Sequence, residues 1–170
     1  MNPIRVRPLR PTDYAWALAL NNNEVPNVNA LDSNSFAEIA DMAACTPVAE
    51  IDGAPAGFMI AFLPGAAYGS ANYRWFAERY PSFLYVDRVI ADPALRGRGV
   101  GKALYAHAMD FGRDRAGLLT CEVNEAPPNP ASMRFHEALG FRPLGRQTTE
   151  GGEKNVVMLG LDLAGEDPGA

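Results

Sequence analysis

The sequence predicts an α/β fold, with a sheet of six or seven strands and four helices, on three observations. Strand-type and helix-type hydrophobic patterns alternate along the chain. Residues 83–115, in the middle, run strand, glycine-rich loop, helix. The 170 residues amount to one domain's worth of chain, and 48% of them are apolar, enough for a core. The expected organisation is a single domain over 1–163 with a frayed tail at 164–170, which is small and polar.

Residues 4–9 alternate apolar and charged side chains and read as a first strand. Thr12 or Asp13 can cap a helix through Leu20, with Tyr14, Trp16, Leu18 and Leu20 as its apolar content. The asparagine-rich stretch 21–29 reads as a polar loop. It is either a solvated turn or a loop that holds a polar substrate, with Glu24 and Asn27 as the candidate contacts. A second helix starts at 32–35 and keeps Phe36, Ile39, Ala40 and Ala43 in helical spacing. Residues 47–51 and 57–63 form a hairpin around Asp52-Gly53, a pair that tolerates the positive φ of a tight turn. Residues 65–82 make a long connection carrying Tyr68, Tyr73, Trp75, Phe76 and Tyr80, with a short helix around 73–80. Its aromatics either cover a sheet edge or wall an acceptor pocket, and Trp75 is the substrate candidate among them.

The next strand, 83–91, is apolar except for Asp87 and Arg88. Adjacent strand residues point to opposite faces, and a buried charge is costly unless satisfied or used. One of the two is therefore expected to face the acceptor, with Asp87 a substrate candidate, and the other to have a partner. A helix follows from Gly99 to about Arg115, then a strand at 118–123. Pro130 stands at the first position of a further helix that Gly140 ends. Two more strands complete the chain, one from Phe141 and one over 156–163, with a turn at 150–152.

Charge and composition exclude several function classes. The formal net charge is −5, and no basic stripe suggests a nucleic-acid partner. The N-terminus has no apolar run of signal-peptide type, and no stretch reaches the ~18 apolar residues of a membrane helix. A cytoplasmic protein without a membrane partner is expected. Cys45 and Cys121 have no metal-ligand spacing and read as buried thiols; no metal is expected.

The chemistry concentrates at 96–102, Arg-Gly-Arg-Gly-Val-Gly-Lys. A strand, a glycine loop and a helix start in that order make an anion cradle, because the first N–H groups of a helix lack intrahelical acceptors and the dipole favours negative charge. The mononucleotide phosphate loop does not fit, since Arg96 stands where its first glycine belongs and Ala103 where its hydroxyl belongs. The dinucleotide fingerprint does not fit either, because its third glycine would come one residue early.

Arg96-x-x-Gly99-x-Gly101 after a strand ending in Asp92-Pro93 resembles the acetyl-CoA pyrophosphate loop of the GNAT N-acetyltransferase superfamily. Asn129-x-x-Ser132-x-x-Phe135-His136-x-x-x-Gly140-Phe141 resembles its second signature. Together with Tyr85-Val86-Asp87-Arg88 and Cys121-Glu122-Val123-Asn124, the pattern is similar to a bacterial subgroup of that superfamily whose substrate is unassigned. The resemblance implies a mixed, strongly twisted GNAT-like sheet whose fourth and fifth strands splay apart. It implies acetyl-CoA as co-substrate and direct transfer of an acetyl group to a primary amine, expected to be that of a small molecule. It leaves room for a homodimer. A CoA-binding module without turnover and a protein N-terminal acetyltransferase are the alternatives.

By position, the resemblance implies that the backbone of Val89, Ile90 and Ala91 pairs with the pantetheine arm. Arg96, Gly97, Arg98, Gly99, Val100, Gly101 and Lys102 hold the pyrophosphate, and Asn129 bonds the cofactor. Glu122 takes the place of a general base. His136 stands where the family usually has the tyrosine that protonates the departing thiolate. An imidazole can fill that role near neutral pH, or it can be a packing residue. The loop 125–128 is longer than in many members.

Overall fold

The computed structural model describes residues 3–126, 128–152 and 154–163. The expected tail at 164–170 and Pro127 of the lengthened loop lie outside them. Seven strands are β1 (Ile4–Pro8), β2 (Pro47–Ile51), β3 (Ala54–Phe62), β4 (Leu84–Ala91), β5 (Leu118–Ala126), β6 (Arg142–Thr149) and β7 (Lys154–Asp162). Five helices are α1 (Tyr14–Asn22), α2 (Ser33–Met42), α3 (Ala71–Arg79), α4 (Val100–Arg113) and α5 (Pro130–Leu139). The strands form one mixed sheet in the order β1-β2-β3-β4-β5-β7-β6. The short helix expected around 73–80 in the aromatic connection is α3, a fifth beside the four main helices, and it is capped by Ser70 Oγ, which accepts from Tyr73 N at 3.4 Å.

The chain forms two compact units. The first comprises 1–62 and 86–111, the second 63–85 and 112–170. In the first, β1 and β3 flank β2 antiparallel, and Asp52 (φ 54°) and Gly53 (φ 78°) make the expected hairpin turn. Phe36 from α2 packs edge-on against Phe58 of β3 and Tyr14 of α1, and Phe36 and Phe58 are fully buried. Arg7 of β1 forks onto Asp13 at 2.8 and 3.0 Å and also meets Glu50 of β2, so Asp13 is held below the usual carboxylate range by its guanidinium bond.

α1 runs two residues beyond the expected Leu20, and Asn21 is fully buried rather than part of a solvated loop. The physical reason is helical spacing, since Ala17, Leu20 and Asn21 fall at i, i+3 and i+4 and share the buried face. Arg88 Nη1 donates to Asn21 Oδ1 at 2.7 Å, and Asn21 Nδ2 donates to the Asn29 carbonyl at 3.0 Å. Asn22 accepts from Leu31 N and donates to Leu31 O, both at 3.0 Å. The asparagines thus close the 23–31 loop on itself.

In the second unit β7 lies antiparallel to both β5 and β6, while β4 and β5 run parallel, in register at Leu84↔Leu119 and Tyr85↔Thr120. Those pairs sit at the beginning of β4, as expected of strands that splay farther along. Tyr73 and Phe76 of α3 pack against Phe83 and Tyr85, and all four rings are buried.

Candidate active site

Each unit carries one part of the predicted machinery. In the first, β4 ends at Ala91, and Asp92 N donates to the Ala56 carbonyl at 2.8 Å. Asp92 Oδ1 accepts from Ala94 N at 2.9 Å and caps a single 3-10 turn, Pro93–Leu95. The chain then passes through Gly97 (φ 78°) and Gly99 (φ 86°) into α4. Both glycines occupy the left-handed region that other residues avoid, so the loop's path depends on them. Ala103 N donates to the Gly99 carbonyl at 3.0 Å, so the N–H groups of Val100, Gly101 and Lys102 lie ahead of the helical ladder.

Burial sorts the loop's residues by role. Val100 is buried and anchors the helix start, while Arg96, Gly97, Arg98, Gly99 and Lys102 are exposed. A Cβ at Gly97 would meet nothing within 4 Å, and one at Gly99 only Ile4 Cδ1 at 3.8 Å. Open backbone, a helix N-terminus and three cations suit a diphosphate. Beneath the loop the packing is tight. A Cβ on Gly57 of β3 would fall 2.6 Å from Val100 Cγ1 and 2.8 Å from the Ile90 carbonyl oxygen, so only glycine lets β3 lie against this corner.

Of the residues predicted on the strand, Val89 and Ala91 are half-buried and Ile90 is buried. Arg88 has the kind of partner expected of one of the two charges, Asn21 of α1, and its Nε also donates to Asp87 Oδ2 at 2.7 Å; the Arg88 and Asp87 side chains are 5% and 6% exposed. Glu24 lies 3.7 Å from Arg96, which brings a substrate candidate beside the predicted pyrophosphate loop. Asn27 is exposed in the same 23–31 loop.

In the second unit Glu122, half-buried on β5, accepts a hydrogen bond from the Tyr85 hydroxyl at 2.8 Å. Asn129 caps α5, with Oδ1 accepting from Ser132 N at 3.3 Å. The carboxamide nitrogen is then the group it can present to a ligand. Trp75 is 8% exposed, stacks edge-on with Phe76, lies under the Arg79 guanidinium at 4.1 Å, and fills the space where Gly145 would carry a Cβ. This is the covering role that the aromatic connection left open.

His136 is buried at 4% exposure between Phe135 and Phe141, both edge-on with centroids 5.3 Å away. Its Nδ1 lies 2.7 Å from the Ser132 carbonyl, an atom that can only accept, so Nδ1 bears the proton. Burial lowers its pKa, only partly offset by that bond, and the ring is neutral at pH 7. The sign follows from linkage. The unfolded chain binds this proton more readily, so stability is complete above the ordinary value of 6.5 and is lost as pH falls below it. Thermal unfolding should therefore show a destabilisation that grows as pH falls below about 6.5, at most about 1.4 kcal/mol per pH unit, and that His136→Phe removes. Asp13, the carboxylate held low by Arg7, adds its own loss only further toward acid. An unchanged slope in His136→Phe would refute this account.

Among the described residues, no group of three His, Cys, Asp or Glu side chains could hold a metal ion, and no helix is long and apolar enough to cross a membrane. Two structural members of the site were not assigned from the sequence. Asn21 was legible in the 17, 20, 21 spacing. The Tyr85–Glu122 bond needed the β4–β5 register, which places Tyr85 opposite Thr120 and thus on the face that Glu122 shares two residues on.

The chain is similar to an L-2,4-diaminobutyric acid acetyltransferase of Nocardia farcinica, 32% identical over 116 residues, 66% of this chain and 53% of that protein. It is also similar to a peptidyl-lysine N-acetyltransferase of Salmonella typhimurium, 34% identical over 77 residues, 45% of this chain and 49% of the other. The chain spans about half the length of these curated relatives. Its fold matches that of the yncA protein of Salmonella typhimurium, solved with its cofactor acetyl-CoA, at a TM-score of 0.71 and 17% identity, covering 96% of each chain. Residues 13–141, which include the glycine loop, Glu122 and the helix that Gly140 closes, match the model of the acetyltransferase (GNAT) family, and the chain belongs to that family.

Proposed function

We propose that the protein transfers an acetyl group from acetyl-CoA to a primary amine by direct attack in a ternary complex. The observation that carries this is the loop at 96–102, where two left-handed glycines and three cations lead into the N-terminus of α4. The relative that acetylates a small diamino acid supports a small-molecule acceptor. Bound acetyl-CoA would supply an activated acetyl thioester.

The chain's residues would do the following. The N–H groups from Gly97 to Lys102, with Arg96, Arg98 and Lys102, would hold the pyrophosphate. The backbone of Val89 to Ala91 would align the pantetheine arm, and Asn129 would bond the cofactor through its carboxamide. Glu122 would take the proton from the acceptor ammonium, which cannot attack until it is neutral. Holding both substrates in line would supply much of the rate. Glu24, next to Arg96, and Asn27 on the same loop are the acceptor contacts of this reading. His136 could act as the acid only if its buried ring were protonated, so it contributes less than Glu122.

The cofactor half is tested by calorimetry. Gly99→Asp and Gly101→Glu each bring a carboxylate toward the pyrophosphate site, and Gly99→Asp also strains the backbone at φ 86°. Both should lose measurable acetyl-CoA binding, whereas unchanged affinity in both would sink the assignment. Thiol release from acetyl-CoA against a panel of diamino acids, other small amines and lysine peptides tests the transfer. Release with peptides alone would move the acceptor to protein, and none with any amine would leave a binding module.

A further inference from the structure

We propose that Tyr85 is the positioning residue for the Glu122 carboxylate, holding it ionised and oriented for the acceptor amine. This rests on the reading of Glu122 as the base. The geometry is independent of that reading. Tyr85 has no exposed surface, and its ring is fixed by Tyr73 and Phe76 at centroid distances of 5.8 and 5.6 Å. A buried phenol must spend its hydroxyl on a partner, and here the hydroxyl donates to Glu122 Oε2 at 2.8 Å.

The strand register makes the contact specific. Tyr85 is paired with Thr120, and Glu122 lies two residues on along β5, on the same face. On the β7 side Glu122 is opposite Met158, which carries no titrating group. From β4 the Tyr85 hydroxyl reaches the carboxylate. The Thr120 hydroxyl is turned to the Leu84 carbonyl at 3.4 Å. A rigid neutral donor on one carboxylate oxygen favours the charged form and fixes the plane of the group, without adding a second charge. A general base needs this combination: ionised at working pH, and held within hydrogen-bond reach of one proton.

The test is Tyr85→Phe, which keeps the ring in its packed slot and deletes only the donor. The first measurement is a carbon-13 NMR titration of glutamate carboxyls, with Glu122 assigned by its disappearance in Glu122→Gln. Glu122 should titrate about one pH unit higher in Tyr85→Phe, the scale of one lost hydrogen bond to an ionised group. Titration at an unchanged pH overturns the proposal. The second measurement is the pH profile of kcat with an accepted amine. Its acid limb should move up with the carboxyl titration, and kcat at high pH should change less than at low pH. A uniform fall at every pH, with the limb in place, would mark a structural role and overturn it too. A limb that survives in Glu122→Gln refutes Glu122 as the base while the NMR result still decides the Tyr85 contact. Should Tyr85→Phe fail to fold, the tyrosine carbon titration in Glu122→Gln replaces it. Loss of the carboxylate should let the Tyr85 phenol ionise at lower pH, and an unmoved phenol would count against the bond.

Discussion

Glu122→Gln is expected to reduce turnover about 10²–10⁴-fold while leaving acetyl-CoA affinity nearly unchanged, the range typical of a positioned acid or base. The amide matches the carboxylate in shape, so β5 and its pairing with Met158 on β7 stay as they are. It can still accept from the Tyr85 hydroxyl, so the buried phenol is not left without this bond. What it cannot do is accept a proton from an ammonium ion. Steady-state thiol release across pH, set beside calorimetry with acetyl-CoA, separates the two quantities. Retention of full turnover at every pH would transfer the base to Glu24, because Asp87 is already engaged by Arg88 at 2.7 Å. A parallel fall in cofactor affinity would mean that the substitution had disturbed binding rather than proton transfer.

What could be read in the sequence divides along physical lines. Local signals carried the elements. Asp52-Gly53 announced its turn, Pro130 and Gly140 bracketed α5, and the apolar run before Asp92-Pro93 announced β4. The glycine loop was legible because left-handed backbone and an anion cradle both demand glycine, and the structure finds φ 78° and 86° at Gly97 and Gly99. Contacts made across strands or over long separations were not legible. Asp87 and Arg88 were expected on opposite faces by strand parity, but a long guanidinium arm reaches back to the neighbouring carboxylate, which parity alone does not foresee. The short helix expected around 73–80 is α3, and only its start at Ala71 was missed, because that start is fixed by Ser70 as the cap. His136 could be placed on α5 from its motif. Its protonation state could not be, because that depends on Phe135 and Phe141 enclosing the ring and on the Ser132 carbonyl accepting the hydrogen bond from Nδ1.

Arg88→Leu should destabilise the protein by about 3–5 kcal/mol, the cost typical of removing one partner from a buried ion pair. The leucine side chain would fit an interior site, so lost volume is not the issue. The cost is electrical: Asp87, 6% exposed, would lose the guanidinium that donates to it at 2.7 Å, and Asn21 would lose the donor to its Oδ1. For a chain of this size the melting temperature should fall by about 10 °C. Adding Asp87→Asn to Arg88→Leu should recover part of the loss, because the charge left behind is then removed as well. Asn21→Leu alone should cost less than Arg88→Leu, since it breaks a neutral acceptor's bond and the hold on the Asn29 carbonyl but leaves the ion pair whole. Denaturant unfolding of the four proteins measures these differences. If Arg88→Leu proved as stable as the parent, the pair would not be a structural necessity. A loss of transfer activity in that stable variant would then place Arg88 and Asp87 with the acceptor, as the charged interruption of an apolar strand first suggested.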